Sequence, residues 1–361
     1  MSDDRRLIDE AIAAIRPPDE SARRLAAEAQ SRLTKPAGAL GRLEDLHLWS
    51  AGVYRSPAPS IAHRVIVVAA ADHGVVVEGV SAYPQAVTTE MVANMLRGGA
   101  AVNVLARQAG AKVVVVDAGV AANTGHQGLV DVKRTPGTSN IAVGPALSRS
   151  DAEALVAAGI QLARKECDAG AAVIGLGDMG IGNTTPAAAI TSVLTGASPN
   201  VTTGRGTGID DHAFARKLSA VERALAVNRP DPLDPLGVLA KVGGCELAFL
   251  AGVALGAASR GAPVILDGYP TTAAALVAVA MAPRVREYML ASHLSAEPGH
   301  RVALDHLGLA PLLDLGMRLG EGTGAALAMM LMEAALRLPR EMATFDSARV
   351  SRSLTEIRPE A

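Results

Sequence analysis

A chain of 361 residues is too long for most single compact cores and suits one large domain with a smaller companion. Hydrophobic residues make up 49% of it but aromatics only 2%, so Ala, Val and Leu must build the core, as Ala-rich helices on Val-rich strands. Net charge is −2, with no basic run and no basic face interleaved with aromatics, which argues against nucleic acid as a partner.

Residues 5–50 read as helices: "RRLIDEAIAAI", a Pro17-Pro18 break, "DESARRLAAEAQSRL", a Lys35-Pro36 turn, then "LGRLEDLHLWSAGVY". The first residues lead into a charged helix rather than an apolar signal segment. "HRVIVVAAADHG" at 63–74 changes the pattern to a β-branched run ending in Asp-His-Gly, the way a buried parallel strand meets a functional loop. Two helical stretches follow, then a second strand, "KVVVVDAG" at 112–119. Residues 119–149 form a Gly/Thr/Asn/Pro-rich connection without a clear period, long enough to suggest function or mobility.

Ser150-x-x-Glu153 has the form of a capping box for the next helix. A third strand, "AAVIGLG", runs into "DMGIGNTT", with Pro186 expected to open a helix; after "TGRGTGIDD" comes a long helix with Asp211 as its expected cap. "PVILDGYP" at 263–270 reads as a fourth strand. Strands alternating with helices of this length imply an α/β fold of parallel β-α-β units. The terminal helices stand outside the alternation and are assigned to a small helical lobe. That gives residues 1–60 to its N-terminal part, 61–320 to a large α/β domain, and 321–361 to a C-terminal helix and tail packing with the lobe.

The longest apolar stretches, such as "ELAFLAGVALGAAS" at Glu246–Ser259, have the length of a buried helix rather than a bilayer span, so no membrane and a cytoplasmic setting are expected. Cys167 and Cys245 follow no metal or redox spacing, the eight histidines show no H-E-x-x-H, and no G-x-S-x-G elbow appears. A metal site and a serine hydrolase thus have little support.

"GLGDMG" at 175–180 matches the dinucleotide pattern G-x-G-x-x-G, but "IGNTTP" intervenes before the helix and no acidic residue between Met179 and Ile209 could hold a ribose. The loop fits better as a phosphate cradle: Gly180, Gly182, Asn183, Thr184 and Thr185 precede a helix start, where free N–H groups bind anions. An ordinary Thr cap is the plainer alternative. "TGRGTGIDD" is a second candidate anion loop, with Lys217 further along its helix. Asp72-His73-Gly74 holds either catalytic groups or a loop-orienting hydrogen bond. Glu321, alone between glycines in "RLGEGTGAA", is either a helix cap or a carboxylate brought close to a ligand.

"TKPAGALGRLEDL", "AADHGVVVEGVSAYPQAVT", "GLGDMGIGNTTPAAAI", "TGRGTGIDD" and "RLGEGTGAALAM" together resemble, in the same order and across essentially the whole chain, the nicotinate-nucleotide–dimethylbenzimidazole phosphoribosyltransferase family. That family makes α-ribazole phosphate for the lower ligand of cobalamin. The resemblance implies a Rossmann-like parallel sheet wrapped by helices, a homodimer, no cofactor, and nicotinate mononucleotide and 5,6-dimethylbenzimidazole as substrates. It implies Lys217 and the loop Gly180, Ile181, Gly182, Asn183, Thr184 and Thr185 on the ribotide phosphate. Glu321, beside Gly320, becomes the proton acceptor, and attack opposite nicotinate inverts C1′. Gln85 would offer an amide and Tyr83 a flat wall to the azole, unless "SAYPQ" is a surface turn stiffened by Pro84. The family's "GEMGIGNTT" is here "GDMGIGNTT", so Asp178 stands one methylene short as an auxiliary carboxylate.

Two rivals belong to other classes. An NAD-dependent oxidoreductase would need the missing ribose acid, and a nucleotide-binding regulator would bind nicotinate mononucleotide without consuming it.

Overall fold

The structure is a computed structural model describing residues 2–123 and 125–351. Thr124, inside the expected 119–149 loop, and residues 352–361 of the expected C-terminal tail lie outside the described residues. The chain divides into two compact units, 1–16 with 63–328 and 17–62 with 329–361. The first helix, Asp3–Ala14, thus groups with the larger unit, whereas the sequence placed residues 1–60 together.

The larger unit is built on a six-stranded sheet: β1 (Arg64–Ala71), β2 (Ala111–Gly119), β3 (Val130–Asp131), β4 (Val173–Met179), β5 (Val264–Leu266) and β6 (Met289–Ala291). Every pairing is parallel, in the order β3-β2-β1-β4-β5-β6. β1 lies at the centre, with Val67 opposite both Val114 and Leu176. Its residues from Val65 onward are buried, which accounts for a continuous apolar run where a half-exposed strand would alternate. The helix Cys245–Ser259 is buried along nearly its whole length and packs on Arg149–Asp168 and on β1.

In the smaller unit, helices Glu20–Arg32 and Arg42–Tyr54 pack together. The turn between them is pinned by Lys35 to Glu44 at 2.8 Å, with both side chains mostly buried, and Gln30 meets His47 at 3.1 Å. Leu33 forms a bridge with Thr344, joining the two ends of the chain in this unit.

Several local expectations shift. Ser148, not Ser150, caps the helix Arg149–Asp168 by accepting from Asp151 N, while Glu153 pairs with Arg149. The helix after β4 starts at Thr184, leaving Pro186 as its third residue. Asp210, not Asp211, caps the helix Asp211–Asn228, accepting from Ala213 N at 2.8 Å. In each case the residue types were right for a helix start, and the path of the preceding loop selected among neighbours.

Candidate active site

β1 and β4 are neighbours in the sheet, yet the chain leaves β1 toward β2 and β4 toward β5. Their carboxyl ends therefore flank a crevice at the point where strand order reverses, the usual ligand position in such sheets. A cavity of about 350 Å³ opens there, lined by segments that follow β4, β5 and β6 and by the turn Arg318–Glu321.

β4 runs straight into the glycine loop. A Cβ on Gly180 would lie 2.5 Å from Ala71 O, and Gly182 has φ +90°, so both positions require glycine. The loop is anchored where Ile181 N donates to Thr88 Oγ1 (3.1 Å), Asn183 N to Gly180 O and Thr185 N to Gly182 O. Among the described residues no hydrogen bond occupies the N–H of Gly182 or Thr184, both of which line the cavity. This loop follows β4, whereas the dinucleotide fingerprint belongs to the first β-α turn.

Below the loop, His73 Nε2 meets Glu246 Oε1 at 2.9 Å, both fully buried. Burial pushes the imidazole pKa down, but the Glu246 charge and hydrogen bond, with Asp72 and Asp178, leave it raised. Asp72 Oδ2 accepts from Ala121 N at 2.7 Å and Asp72 O from Thr138 N. Neither Asp72 nor His73 lines the cavity, so Asp72-His73 holds loops in place.

Lys217 is fully buried behind Thr184, with its one hydrogen bond among the described residues to Thr184 Oγ1 at 2.7 Å. Burial pushes the ammonium down to about 8, opposed by the charge of Glu297. Glu297 lines the cavity and accepts from Gly206 N at 2.8 Å. Gly206 has φ +52°, and a Cβ there would come 3.0 Å from Lys217 Nζ, so the glycine loop leaves the amine close to the cavity wall. In the same loop Arg205 turns to Asp211 and the Phe214 ring, and Thr207 Oγ1 receives Ala82 N at 3.1 Å.

Gly320, Glu321 and Gly322 take φ values of 85°, 65° and 89°, three left-handed residues in a row. Glu321 N donates to Asp178 O at 3.1 Å, which sets the turn against the end of β4. The cap expectation is overturned: Asp267, just after β5, accepts from Gly322 N (2.9 Å), Gly324 N (2.6 Å) and Ala325 N (3.2 Å) at the start of the helix Thr323–Glu341. Glu321 Oε2 instead accepts a long 3.4 Å bond from Val102 N, at the start of the helix Ala101–Ala109. Burial raises the Glu321 pKa, with the Val102 N–H opposing. Asp178 Oδ2 accepts from Asn183 Nδ2 at 2.8 Å, and Oδ1 has no partner among the described residues. Burial pushes Asp178 up to about 7 against the Asn183 bond, with the charges of Glu246 and Glu321 adding to the rise.

Tyr83, Asp178, Gly180 through Thr184, Gly320 and Glu321 thus come together around one cavity. Three expected residues do not line it. Thr185 and Lys217 are buried behind the wall, and Gln85 immediately precedes the helix Ala86–Leu96 with no side-chain capping bond. Val80, Val87 and Met91 supply an apolar wall that the sequence left unmarked, because their spacing reads as ordinary core. Asp267 and Glu297 were missed for a different reason: each acts on a loop distant in sequence, and no local motif announces it.

A family model described as phosphoribosyltransferase matches residues 15–350. The chain belongs to this phosphoribosyltransferase family. The nicotinate-nucleotide–dimethylbenzimidazole phosphoribosyltransferase of Desulforudis audaxviator is 56% identical to it over 343 residues, 95% of this chain and 97% of the relative. The protein of that name from Roseiflexus sp. (strain RS-1) is 52% identical over 346 residues, 96% of this chain and 98% of its own. The crystal structure of CobT from Thermus thermophilus matches this phosphoribosyltransferase with a TM-score of 0.89 at 50% identity, covering 92% of this chain and 100% of that one. Among the described residues no group of three or more His, Cys, Asp or Glu is placed to hold a metal, and no helix is long and apolar enough to cross a membrane.

Proposed function

We propose that this phosphoribosyltransferase moves the phosphoribosyl group of nicotinate mononucleotide to 5,6-dimethylbenzimidazole, giving α-ribazole 5′-phosphate and nicotinate. One observation carries the reading: Glu321 and the Gly180–Thr184 loop line the same cavity, which also has an apolar wall. An anionic sugar phosphate and a flat apolar base call for those surfaces together. The phosphate sits on the loop N–H groups, with Thr184 and the Lys217 charge behind it. The base lies against Val80, Tyr83, Val87 and Met91. Gln85 would have to turn inward to reach it.

In the step itself, the azole lone pair forms the bond to C1′ while the C1′–pyridinium bond breaks, its electrons neutralising the nicotinate ring. The azole N–H proton passes to the Glu321 carboxylate. A carboxylate whose burial raises its proton affinity is the better acceptor. Asp178 is an auxiliary carboxylate whose ionised form favours the cationic ribose that forms as the bond to nicotinate loosens. Attack opposite nicotinate inverts C1′.

The test is nicotinate release on mixing the protein with both substrates. Release should require dimethylbenzimidazole, and Glu321→Gln should cut it by about 10²–10⁴, the usual range for loss of a general base, while leaving nucleotide binding intact. A protein that binds the nucleotide and never consumes it would be a regulator, and the proposal would fail. We also propose a cytoplasmic homodimer, which sedimentation should show as twice the 36.8 kDa chain mass; a monomer at micromolar concentration would refute the dimer.

A further inference from the structure

We infer that Asp267 is a positioning residue for the reaction, holding the Gly320–Gly322 turn so that the Glu321 carboxylate stays aimed into the cavity. A left-handed backbone is ordinary for glycine but unfavourable for Glu321. Such a conformation persists only where the surroundings over-determine it. Two of the restraints are local, from Thr323 N and Thr323 Oγ1 to Gly320 O at 3.2 and 2.8 Å. A third is the bond from Glu321 N to Asp178 O at the end of β4, and the rest come from Asp267, just after β5. One oxygen of Asp267 takes Gly322 N, and the other takes Gly324 N and Ala325 N.

The carboxylate therefore straddles the junction between turn and helix and fixes both sides of it. Asp267 is itself held tightly. Its N–H donates to Thr271 Oγ1 at 3.0 Å, and its carbonyl accepts from Ser292 Oγ at 3.1 Å. From the opposite side, a Cβ on Gly322 would lie 2.6 Å from Ile66 Cγ2, and one on Gly177 would lie 2.5 Å from Glu321 O. The turn is thus clamped between the Asp267 carboxylate, the Ile66 side chain of β1 and the backbone of β4. Asp267 is fully buried and does not line the cavity, so any effect on turnover must pass through the residues it holds. Two cavity-lining groups stand next to it: Glu321, carried on the clamped turn, and the His293 imidazole, 3.8 Å from Asp267 Oδ1. The double variant below separates an effect through Glu321 from one through His293.

Asparagine at this position keeps one acceptor but turns an amide N–H against either Gly322 N–H or the Gly324 and Ala325 pair. Asp267→Asn should therefore release one side of the clamp and little else. This inference rests on Glu321 as the proton acceptor, and the experiment separates the two. Nicotinate release is measured for wild type, Asp267→Asn, Glu321→Gln and the double variant, each checked for folding by thermal melting. We expect Asp267→Asn to lower kcat by about 10–100-fold, the scale of an ångström's misplacement, with the nucleotide KM unchanged. The double variant should be as slow as Glu321→Gln alone, because the clamp has nothing left to position.

Losses that multiply in the double variant, or an unchanged kcat in Asp267→Asn, overturn the inference while leaving the general-base reading intact. A wild-type rate in Glu321→Gln overturns both. Should Asp267→Asn fail to fold, Asp267→Ser is the second variant. It adds no opposing amide pair, and the same pattern is expected of it.

Discussion

Lys217 is an unusual residue to propose for a phosphate. It is wholly buried, has one neutral partner in Thr184, and carries an ammonium that burial pushes down to about 8. The arrangement makes sense if an anion joins the charge of Glu297 as a counter-ion, since a buried cation is costly until it is paired. It also makes the charge titrate within a measurable range. Below pH 8 the free protein holds Lys217 as a cation, and above it the amine becomes neutral. The nucleotide KM should therefore be flat near pH 7 and rise by about tenfold per pH unit well above 8. Lys217→Arg keeps its charge throughout that range, so its KM, worse at pH 7 because the fork does not match the site, should show no such rise. A wild-type KM that stays flat to pH 9.5 would move the phosphate away from Lys217.

Among the elements, what the sequence displayed depended on how locally each feature is determined. β1, β2 and β4 announce themselves because strands of seven to nine residues built around Val, Ile, Leu and Ala are buried along most of their length. β3 and β6, at two and three residues, are too short to carry a period; each forms because its neighbour in the sheet is already in place. The Gly180–Thr184 loop, which lines the cavity, stood out as a candidate anion seat because glycines, threonines and a helix start are contiguous there. The fate of Glu321 was not. A lone acid before a helix looks like a cap, yet that duty falls to Asp267, 57 residues before Gly324. Once a distant carboxylate satisfies those N–H groups, Glu321 is released from local hydrogen bonding and its side chain is free to face the cavity. Chain neighbours alone could not distinguish these cases, since both acids obey the same local preference. The decision lies in tertiary placement.

For the molecule as a whole, the shortage of aromatic residues acquires a structural meaning. With 2% aromatics the larger unit cannot fill space between widely separated helices, so its helices close up instead. The helices Arg149–Asp168 and Cys245–Ser259 meet along Gly159, Gly252 and Gly256. A Cβ on Gly159 would overlap Phe249 O, and one on Gly252 would overlap Val156 O. At Gly256 it would lie 2.7 Å from Ile160 O. Backbone meets backbone there, and small residues stand in for bulk. These glycines sit inside helices, where they are individually unfavourable by about 1 kcal/mol relative to Ala, so only close packing justifies them. Replacing Gly252 with Ala would gain that propensity but force the two helices apart. Overpacking of a tight core commonly costs about 1–3 kcal/mol, and backbone atoms cannot move aside as a side chain would, so the loss should exceed the gain. Gly252→Ala should accordingly melt several degrees below wild type. Gly252 does not line the cavity, so the nucleotide KM of the folded fraction should be unchanged. A variant as stable as wild type would mean that the helices have slack between them, and that the aromatic-poor composition has no such packing consequence.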